Sequence, residues 1–312
     1  MNTSIDLPES EKRIHLFRIF DSGISADPLD EIIEVLQLFT PSIDTNFITT
    51  CHQDIGAFFN GHYSGFKANN NKYHDLRHTY AVALATARLF HGLFIEGQRF
   101  ETIAVMNGMM SAYFHDTGLL LRSSDNAENG AEYTRCHEVR SIQVLENYLG
   151  SRNFDRVFVK DCGDIINCTN IEFDFESITF SRPEIKHVAQ VVATADISAQ
   201  MADRYYLELL PYLYQERRVG GLVDHESAFE LMKGTAWFYD TVISKRMETV
   251  LGDIDSAMKT HFQARWHIDR NLYKENIRSN IDYLQVVVEK CRKHPERMLT
   301  YLQRRPPSSE QE

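Results

Sequence analysis

Apolar residues recur at intervals of three to four along most of the chain, whereas the strict alternation of a half-buried strand is rare. A period of 3.6 residues gives a helix one apolar face, so each such stretch predicts a helix that packs against others. Asp27 and Pro28 add an N-cap and first-turn signal before the first stretch. The predicted helices span Leu29–Phe39, Ala81–Ile95, Thr102–Tyr113, His137–Leu149, Glu184–Gln200, Ser227–Leu251 and Asn271–Cys291. The chain is therefore predicted to be all-α.

The chain contains no internal repeat and no central linker rich in Pro, Gly or Ser, which favours one main helical domain. We expect an N-terminal helical extension over residues 1–60, the main domain over residues 61–304 and a disordered polar tail over residues 305–312. Polar segments between the helical stretches predict surface loops, among them residues 122–130. That loop either covers a binding pocket as a lid or connects two helices.

The 312 residues include 33 Lys and Arg against 44 Asp and Glu, which gives a net charge of −11. A nucleic-acid groove needs a basic stripe, and the sequence contains none, so nucleic acid is not an expected partner. The five cysteines form no Cys-x-x-Cys pair and suit a reducing cytoplasm. The longest apolar stretches fall short of the roughly 20 residues that span a bilayer, and the polar amino terminus is unlike a signal peptide. We therefore expect a cytoplasmic protein without a membrane segment.

Three features of the helical segments carry side chains that bind divalent metals. The first is the segment 73–78, YHDLRH, in which His74 and His78 stand four residues apart. If a helix begins here, this spacing turns through about 400° and places both imidazoles on one face. A pair of surface histidines at a helix N-terminus explains the segment equally well when it is taken alone.

The second feature is the pair His115-Asp116, which ends a strongly apolar helical stretch. Two polar groups buried there without partners would cost several kcal/mol, and either a metal or a structural His–Asp hydrogen bond would satisfy them. The third is Asp196, a carboxylate among small and apolar residues, which a buried Arg could also pair. Because His and Asp are ligands of borderline and hard divalent metals, the three features together favour a metal site.

This order of histidine, His-Asp pair and late aspartate resembles the HD phosphohydrolase superfamily, over roughly residues 70–215. The YHDLRH segment is similar to the Tyr-His-Asn-x-x-His element of cyclic-nucleotide phosphodiesterases. The resemblance implies an all-α, HD-domain-like helical bundle, here with additional N- and C-terminal helices. It also implies that His74 is a general acid and that His137 binds a second metal. The ligands that it implies for the first metal are His78, His115, Asp116 and Asp196.

The implied function is a metal-dependent phosphohydrolase that acts on a phosphoester of a small metabolite. One or two divalent ions (Mn, Mg, Fe, Co or Zn) would generate the attacking hydroxide, with Asp116 bridging the pair. Lys72 and Arg77 are the candidate cations for the phosphoryl oxygens. The first motif favours a (cyclic) nucleotide phosphodiesterase. Since Thr-Gly follows Asp116 where the phosphodiesterases have His-x-Gly, a 5′-nucleotidase, a nucleoside triphosphohydrolase and a non-catalytic nucleotide-binding regulatory module stay open.

Overall fold

The structure is a computed structural model that describes residues 28–222 and 224–302. Within these residues the protein is all-α, as predicted, with twelve α-helices and no strand. The helices are α1 (Leu29–Phe39), α2 (Thr45–Phe59), α3 (Leu76–Ile95), α4 (Thr102–Phe114), α5 (His137–Gly150), α6 (Arg156–Asn167), α7 (Pro183–Ala202), α8 (Tyr206–Val219), α9 (Ala228–Phe238), α10 (Ser244–Thr249), α11 (Ala257–Trp266) and α12 (Leu272–Cys291). Short 3₁₀ helices lie at Thr117–Leu119, Gly130–Cys136, Phe175–Ser177, Ile254–Ser256 and Pro295–Thr300. Among the described helices, none combines the length and the apolar run that a membrane crossing requires.

All seven predicted helices are present among the described residues, and their ends differ from the prediction by a few residues. The stretch predicted as Ser227–Leu251 consists of α9 and α10 joined by a π-helical turn at Tyr239–Ile243. The helices α2, α6, α8 and α11 were not predicted. α8 contains Pro211 in its interior, and α11 has no one-sided apolar face, so neither shows the pattern of an amphipathic helix.

The helices α1 and α2 lie within the predicted extension, residues 1–60. They pack against α3 and α4, and their buried apolar side chains join the same core as those of the later helices. Residues 1–27, with the predicted cap Asp27, lie outside the described residues, and so does the predicted tail at residues 305–312. The domain boundary near residue 60 stays a prediction.

Three helices that pack pairwise, α3, α4 and α7, form the framework of the site. α4 is buried on every side from Ala104 to Phe114, and α3 is buried from Val82 to Leu93. Helices that are buried all round belong to the core of a protein. His78 lies in the first turn of α3, His115 directly follows α4, and Asp196 lies within α7. The core helices therefore carry the predicted metal ligands to one region.

Candidate metal centre

Four predicted ligands bring their ligand atoms into one cluster. Nε2 of His78 lies 3.2 Å from Nε2 of His115. Oδ2 of Asp116 lies 3.5 Å from the first of these nitrogens and 3.2 Å from the second. Oδ1 of Asp196 lies 3.2 Å from Nε2 of His78 and 3.6 Å from Nε2 of His115. His78, His115 and Asp116 form a group whose ligand atoms all lie within 4.8 Å of one another and that could hold a metal ion; this group does not include Asp196.

The spacings in this cluster fit a divalent ion. Two ligands with bonds of about 2.1 Å to one ion lie about 3.0–3.4 Å apart at octahedral or tetrahedral angles. The observed separations to the histidine nitrogens run from 3.2 to 3.6 Å. Oδ2 of Asp116 is also buried without a hydrogen-bond partner among the described residues, which costs free energy that a cation would offset. Two imidazoles and two carboxylates suit Zn, Fe, Mn or Co, and with more waters Mg.

Hydrogen bonds to the backbone orient two of the imidazoles towards the cluster. Nδ1 of His115 donates to the carbonyl of Ala112 at 2.9 Å, and Nδ1 of His137 donates to the carbonyl of Thr134 at 2.8 Å. A proton held on Nδ1 leaves the lone pair on Nε2, the atom that each ring turns towards Asp116. Metal-binding histidines commonly make this outer hydrogen bond, because it fixes the tautomer and the ring orientation.

His137 lies on the other side of Asp116 from the first two histidines. Its Nε2 is 3.6 Å from Oδ1 of Asp116, whereas Oδ2 of the same carboxylate faces His78 and His115. One carboxylate thus presents one oxygen to two imidazole nitrogens and its other oxygen to a third. That geometry suits a carboxylate that bridges two ions, and it brings the predicted second-metal ligand to the predicted bridge.

The turn that carries His115 and Asp116 is held tightly against α5. Oγ of Ser141 donates to the carbonyl of His115 at 2.6 Å and accepts from the amide of Gly118 at 2.8 Å. A Cβ atom at Gly118 would lie 1.9 Å from the carbonyl oxygen of His137, so only glycine allows this approach. Ser141 and Gly118 were not predicted as site residues, although both stand close to the motifs in the sequence.

The local structure around the first motif differs from the predicted one. α3 begins at Leu76, because Asp75 caps it by accepting the amide of His78 through Oδ1 at 2.9 Å. His74 therefore precedes the helix, and the expectation that His74 and His78 share one helix face is wrong. The turn nevertheless leaves their ring centroids 6.3 Å apart, so His74 stays beside the cluster.

Glu216 on α8 holds His74, and sequence reasoning missed it. Its Oε2 accepts from Nδ1 of His74 at 2.7 Å, and its Oε1 accepts from the amides of Lys72 and Tyr73 at 2.8 and 2.7 Å. Three donors on one buried carboxylate fix both the imidazole and the backbone before it. The only sequence signal is an acidic residue on a helix face that turns out to be buried, 142 residues after His74.

The charges of the cluster stabilise one another. Burial lowers the pKa of His115, but the charges of Asp116 and Asp196 outweigh burial and raise that pKa to about 9. Burial likewise lowers the pKa of His74, and Asp116 together with Glu216 raises it to about 9. Burial would raise the pKa of Asp116, yet the facing histidines, His115 first, hold it well below its usual range. Protons and metal ions would therefore compete for the same ring nitrogens.

The two predicted phosphate-binding cations lie near the cluster in different settings. Arg77 faces two carboxylates, with Nε 3.8 Å from Asp75 Oδ2 and Nη2 3.6 Å from Asp203 Oδ2. Lys72 is exposed, and its Nζ lies 5.3 Å from the centroid of the Tyr212 ring. Lys72 is thus the more accessible of the two charges.

The loop 122–130 is tied to the segment that leads into His74. Asn70 donates to the carbonyl of Glu128 at 2.8 Å and accepts from the amide of Gly130 at 3.1 Å. Arg140 on α5 forms an ion pair of 2.7 Å with Asp125 of the loop. These contacts favour a fixed connector over a lid, and they help to hold the backbone before His74.

The other buried histidines lie apart from this cluster in different hydrogen bonds. Nδ1 of His91 lies 3.0 Å from Nδ1 of His261, and Nδ1 of His52 lies 2.9 Å from the hydroxyl of Tyr113. In the first arrangement two imidazoles face each other, and in the second an imidazole faces a phenol hydroxyl. Comparison of the chain with protein-family models and with curated proteins finds no match. Function is therefore inferred from the geometry around Asp116.

Proposed function

We propose that this protein is a metal-dependent phosphohydrolase of the HD superfamily, with an HD-domain-like bundle around the metal centre. The observation that carries the proposal is the position of Asp116 between His78 and His115 on one side and His137 on the other. Pairs of catalytic ions about 3.5–4 Å apart commonly share a carboxylate in this way and act together on phosphoesters. A structural site, in contrast, is usually one ion closed off by four ligands.

A divalent ion in this site would lower the pKa of a coordinated water towards about 7 and polarise the phosphoryl oxygens. His78, His115, Asp116 and Asp196 would hold the ion. His74 supplies the proton for the departing oxygen, since its Nδ1 is bound to Glu216 and its Nε2 remains available as the donor. Against the effect of burial, the charge of Asp116 and the hydrogen bond and charge of Glu216 raise the pKa of that imidazole to about 9, which keeps it protonated near neutral pH.

Lys72 supplies positive charge on the side of His74. Its amide is fixed by Glu216, and its exposed ammonium group can approach a phosphoryl oxygen or a second anionic group of the substrate. This pairing of an acid and a cation suits an ester whose leaving group is an alkoxide, because an alkoxide departs slowly unless it is protonated. The proposed substrate is therefore a small phosphoester, with a (cyclic) nucleotide favoured by the YHDLRH segment.

Two substitutions test this function. Asp116→Ala should abolish both metal binding and hydrolysis, because it removes the carboxylate that faces His78, His115 and His137. His74→Ala should retain metal and lower the rate by about 10²–10⁴-fold, the usual contribution of a general acid. His294→Ala, at an exposed histidine outside the cluster, is the matched control and should change neither property.

The assay is hydrolysis of cyclic and linear phosphodiesters and of nucleoside mono- and triphosphates, each with Mn²⁺, Mg²⁺, Co²⁺ and Fe²⁺. The substrate that is turned over separates a phosphodiesterase from a nucleotidase or a triphosphohydrolase. Full hydrolysis by Asp116→Ala would refute the proposed site. A metal-loaded protein that binds nucleotides and hydrolyses none of these substrates would refute the enzyme and favour a regulatory module.

A further inference from the structure

The ends of two ligand-bearing helices meet at Arg77. α3 begins after Asp75 and carries His78 in its first turn, whereas α7 carries Asp196 and ends at Ala202, with Asp203 as its C-cap. The guanidinium of Arg77 lies between the two capping carboxylates, 3.8 Å from Asp75 and 3.6 Å from Asp203. One cation thus links the start of α3 to the end of α7.

Each of the two carboxylates uses one oxygen to accept a backbone amide and turns the other oxygen towards Arg77. Oδ1 of Asp75 accepts from the amide of His78 at 2.9 Å, and its Oδ2 faces Arg77. Oδ1 of Asp203 accepts from the amide of Tyr205 at 2.6 Å, and its Oδ2 also faces Arg77. The position of the guanidinium is therefore coupled to the backbone at both helix ends. At the start of α3 this backbone includes the amide of His78, a proposed metal ligand.

The end of α7 is fixed from its other side by α12. The buried side chain of Asn280 donates to the carbonyls of Met201 and Asp203, at 2.9 Å in each case. Because Asn280 anchors this backbone, Arg77 ties the start of α3 to a fixed point. Between these two helix ends, Nε2 of His78 on α3 lies 3.2 Å from Oδ1 of Asp196 on α7.

The surroundings of Arg77 leave no room for a phosphate. Its side chain is 14% exposed, and Nη1 is buried without a hydrogen-bond partner among the described residues. The cavity that Arg77 lines with His78, Gln200 and Asp203 has a volume of about 10 Å³. A single water needs about 10–15 Å³, so a phosphoryl group does not fit unless the helix ends separate.

We propose that Arg77 is a positioning residue that sets the separation of His78 and Asp196 by locking the ends of α3 and α7 together. This role assumes the metal centre of the proposed function, and it differs from the phosphate-binding role that the sequence favoured. Removing the guanidinium deletes no ligand side chain, but it frees the two helix ends. Loss of an outer partner of this kind typically weakens metal binding by about 10- to 100-fold.

The test is the dissociation constant of Mn²⁺ for the full chain, obtained from the electron paramagnetic resonance signal of the free ion. Arg77→Met should raise the dissociation constant of Mn²⁺ by about 10- to 100-fold. Arg77→Met combined with Asp203→Asn removes the charges of Arg77 and Asp203 together, so no unpaired charge remains on Asp203, whose side chain is 15% exposed. This double variant should recover thermal stability while its Mn²⁺ affinity stays low. Arg278→Met breaks a surface pair with Asp282 and is the matched control, which should bind Mn²⁺ like the wild type.

The outcomes separate this role from the alternatives. Wild-type Mn²⁺ affinity in Arg77→Met, together with weaker binding of inorganic phosphate than in the wild type, would overturn the positioning role and restore a phosphate-binding role. Recovery of both thermal stability and Mn²⁺ affinity in the double variant would also overturn the positioning role. It would show that Arg77→Met acts only by leaving the Asp203 carboxylate unpaired. Failure of the wild type to bind Mn²⁺ or any other divalent ion would instead refute the proposed function itself.

Discussion

The contact between Gly118 and α5 gives a way to disturb the proposed metal centre without changing a proposed ligand or a charge. Gly118 lies two residues after Asp116, and its amide donates to Oγ of Ser141. In Gly118→Ala, the added Cβ would lie 1.9 Å from the carbonyl oxygen of His137 and 2.7 Å from the amide nitrogen of Ser141. Both atoms belong to the backbone of α5, so no side chain can rotate to relieve the contact.

The size of the effect follows from these distances. A Cβ atom essentially never comes within 3.0 Å of another heavy atom, so the turn and α5 must separate by about 1.1 Å. This movement draws Asp116 away from His137. In the wild type, Oδ1 of Asp116 lies 3.6 Å from Nε2 of His137. We expect a loss of about 1–3 kcal/mol in unfolding free energy from overpacking. A displacement of about 1 Å at reacting groups can lower a rate by about 10²-fold, and we expect a loss of that order in hydrolysis.

The assay compares the metal content at saturation and the rate of hydrolysis in Gly118→Ala and in Gly150→Ala. Gly150 is the last residue of α5, and a Cβ there would meet no atom within 4 Å, so this control should match the wild type. The expected result is a weaker second metal and a slower reaction in Gly118→Ala alone. Wild-type metal content and rate in Gly118→Ala would refute the view that contact with α5 positions Asp116.

Two further predictions concern charge. Glu216→Gln should retain metal but shift the alkaline decline of hydrolysis to lower pH, because Glu216 adds to the effect of Asp116 in raising the pKa of His74; an unchanged pH–rate profile would contradict this role. Burial, assisted by Arg88, holds the pKa of His261 well below its usual value, so the unfolded chain binds a proton that the folded protein does not. The unfolding free energy of the wild type should therefore fall below about pH 6.5, by about 1.4 kcal/mol per pH unit for this group. His261→Gln should reduce the slope of the unfolding free energy against pH, measured by urea unfolding between pH 7.5 and 5. Equal slopes in the variant and the wild type would contradict the assignment of this pH dependence to His261.

The features that could be predicted from the sequence are those encoded locally. The 3.6-residue period of apolar residues predicted the all-α fold class, because each core helix repeats its apolar residues over several turns. His78, His115, Asp116 and Asp196 could be proposed as a group because each stands in a short, distinctive segment. In the structure their ligand atoms lie together, since α3, α4 and α7 pack against one another.

The features that could not be predicted depend on which residue caps a helix or on contacts between residues far apart in the sequence. Asp75 is a better helix cap than the residues before it, so α3 starts after His74 and the shared helix face is lost. Glu216 reaches His74 only through the packing of α8, whose helical pattern is broken by Pro211. Arg77 was assigned from its charge alone, whereas the structure places it between two capping carboxylates.

The most direct test of the metal centre is the metal content of the purified protein, measured by inductively coupled plasma mass spectrometry after saturation with Mn²⁺, Fe²⁺, Co²⁺ or Zn²⁺ and removal of free ions. The wild type should retain one or two equivalents of at least one metal. Asp116→Ala should retain none, whereas Asp282→Ala, which removes an exposed aspartate on α12, should retain the wild-type amount. A wild type that retains no metal, or an Asp116→Ala variant that retains as much as the wild type, would contradict the proposed metal centre.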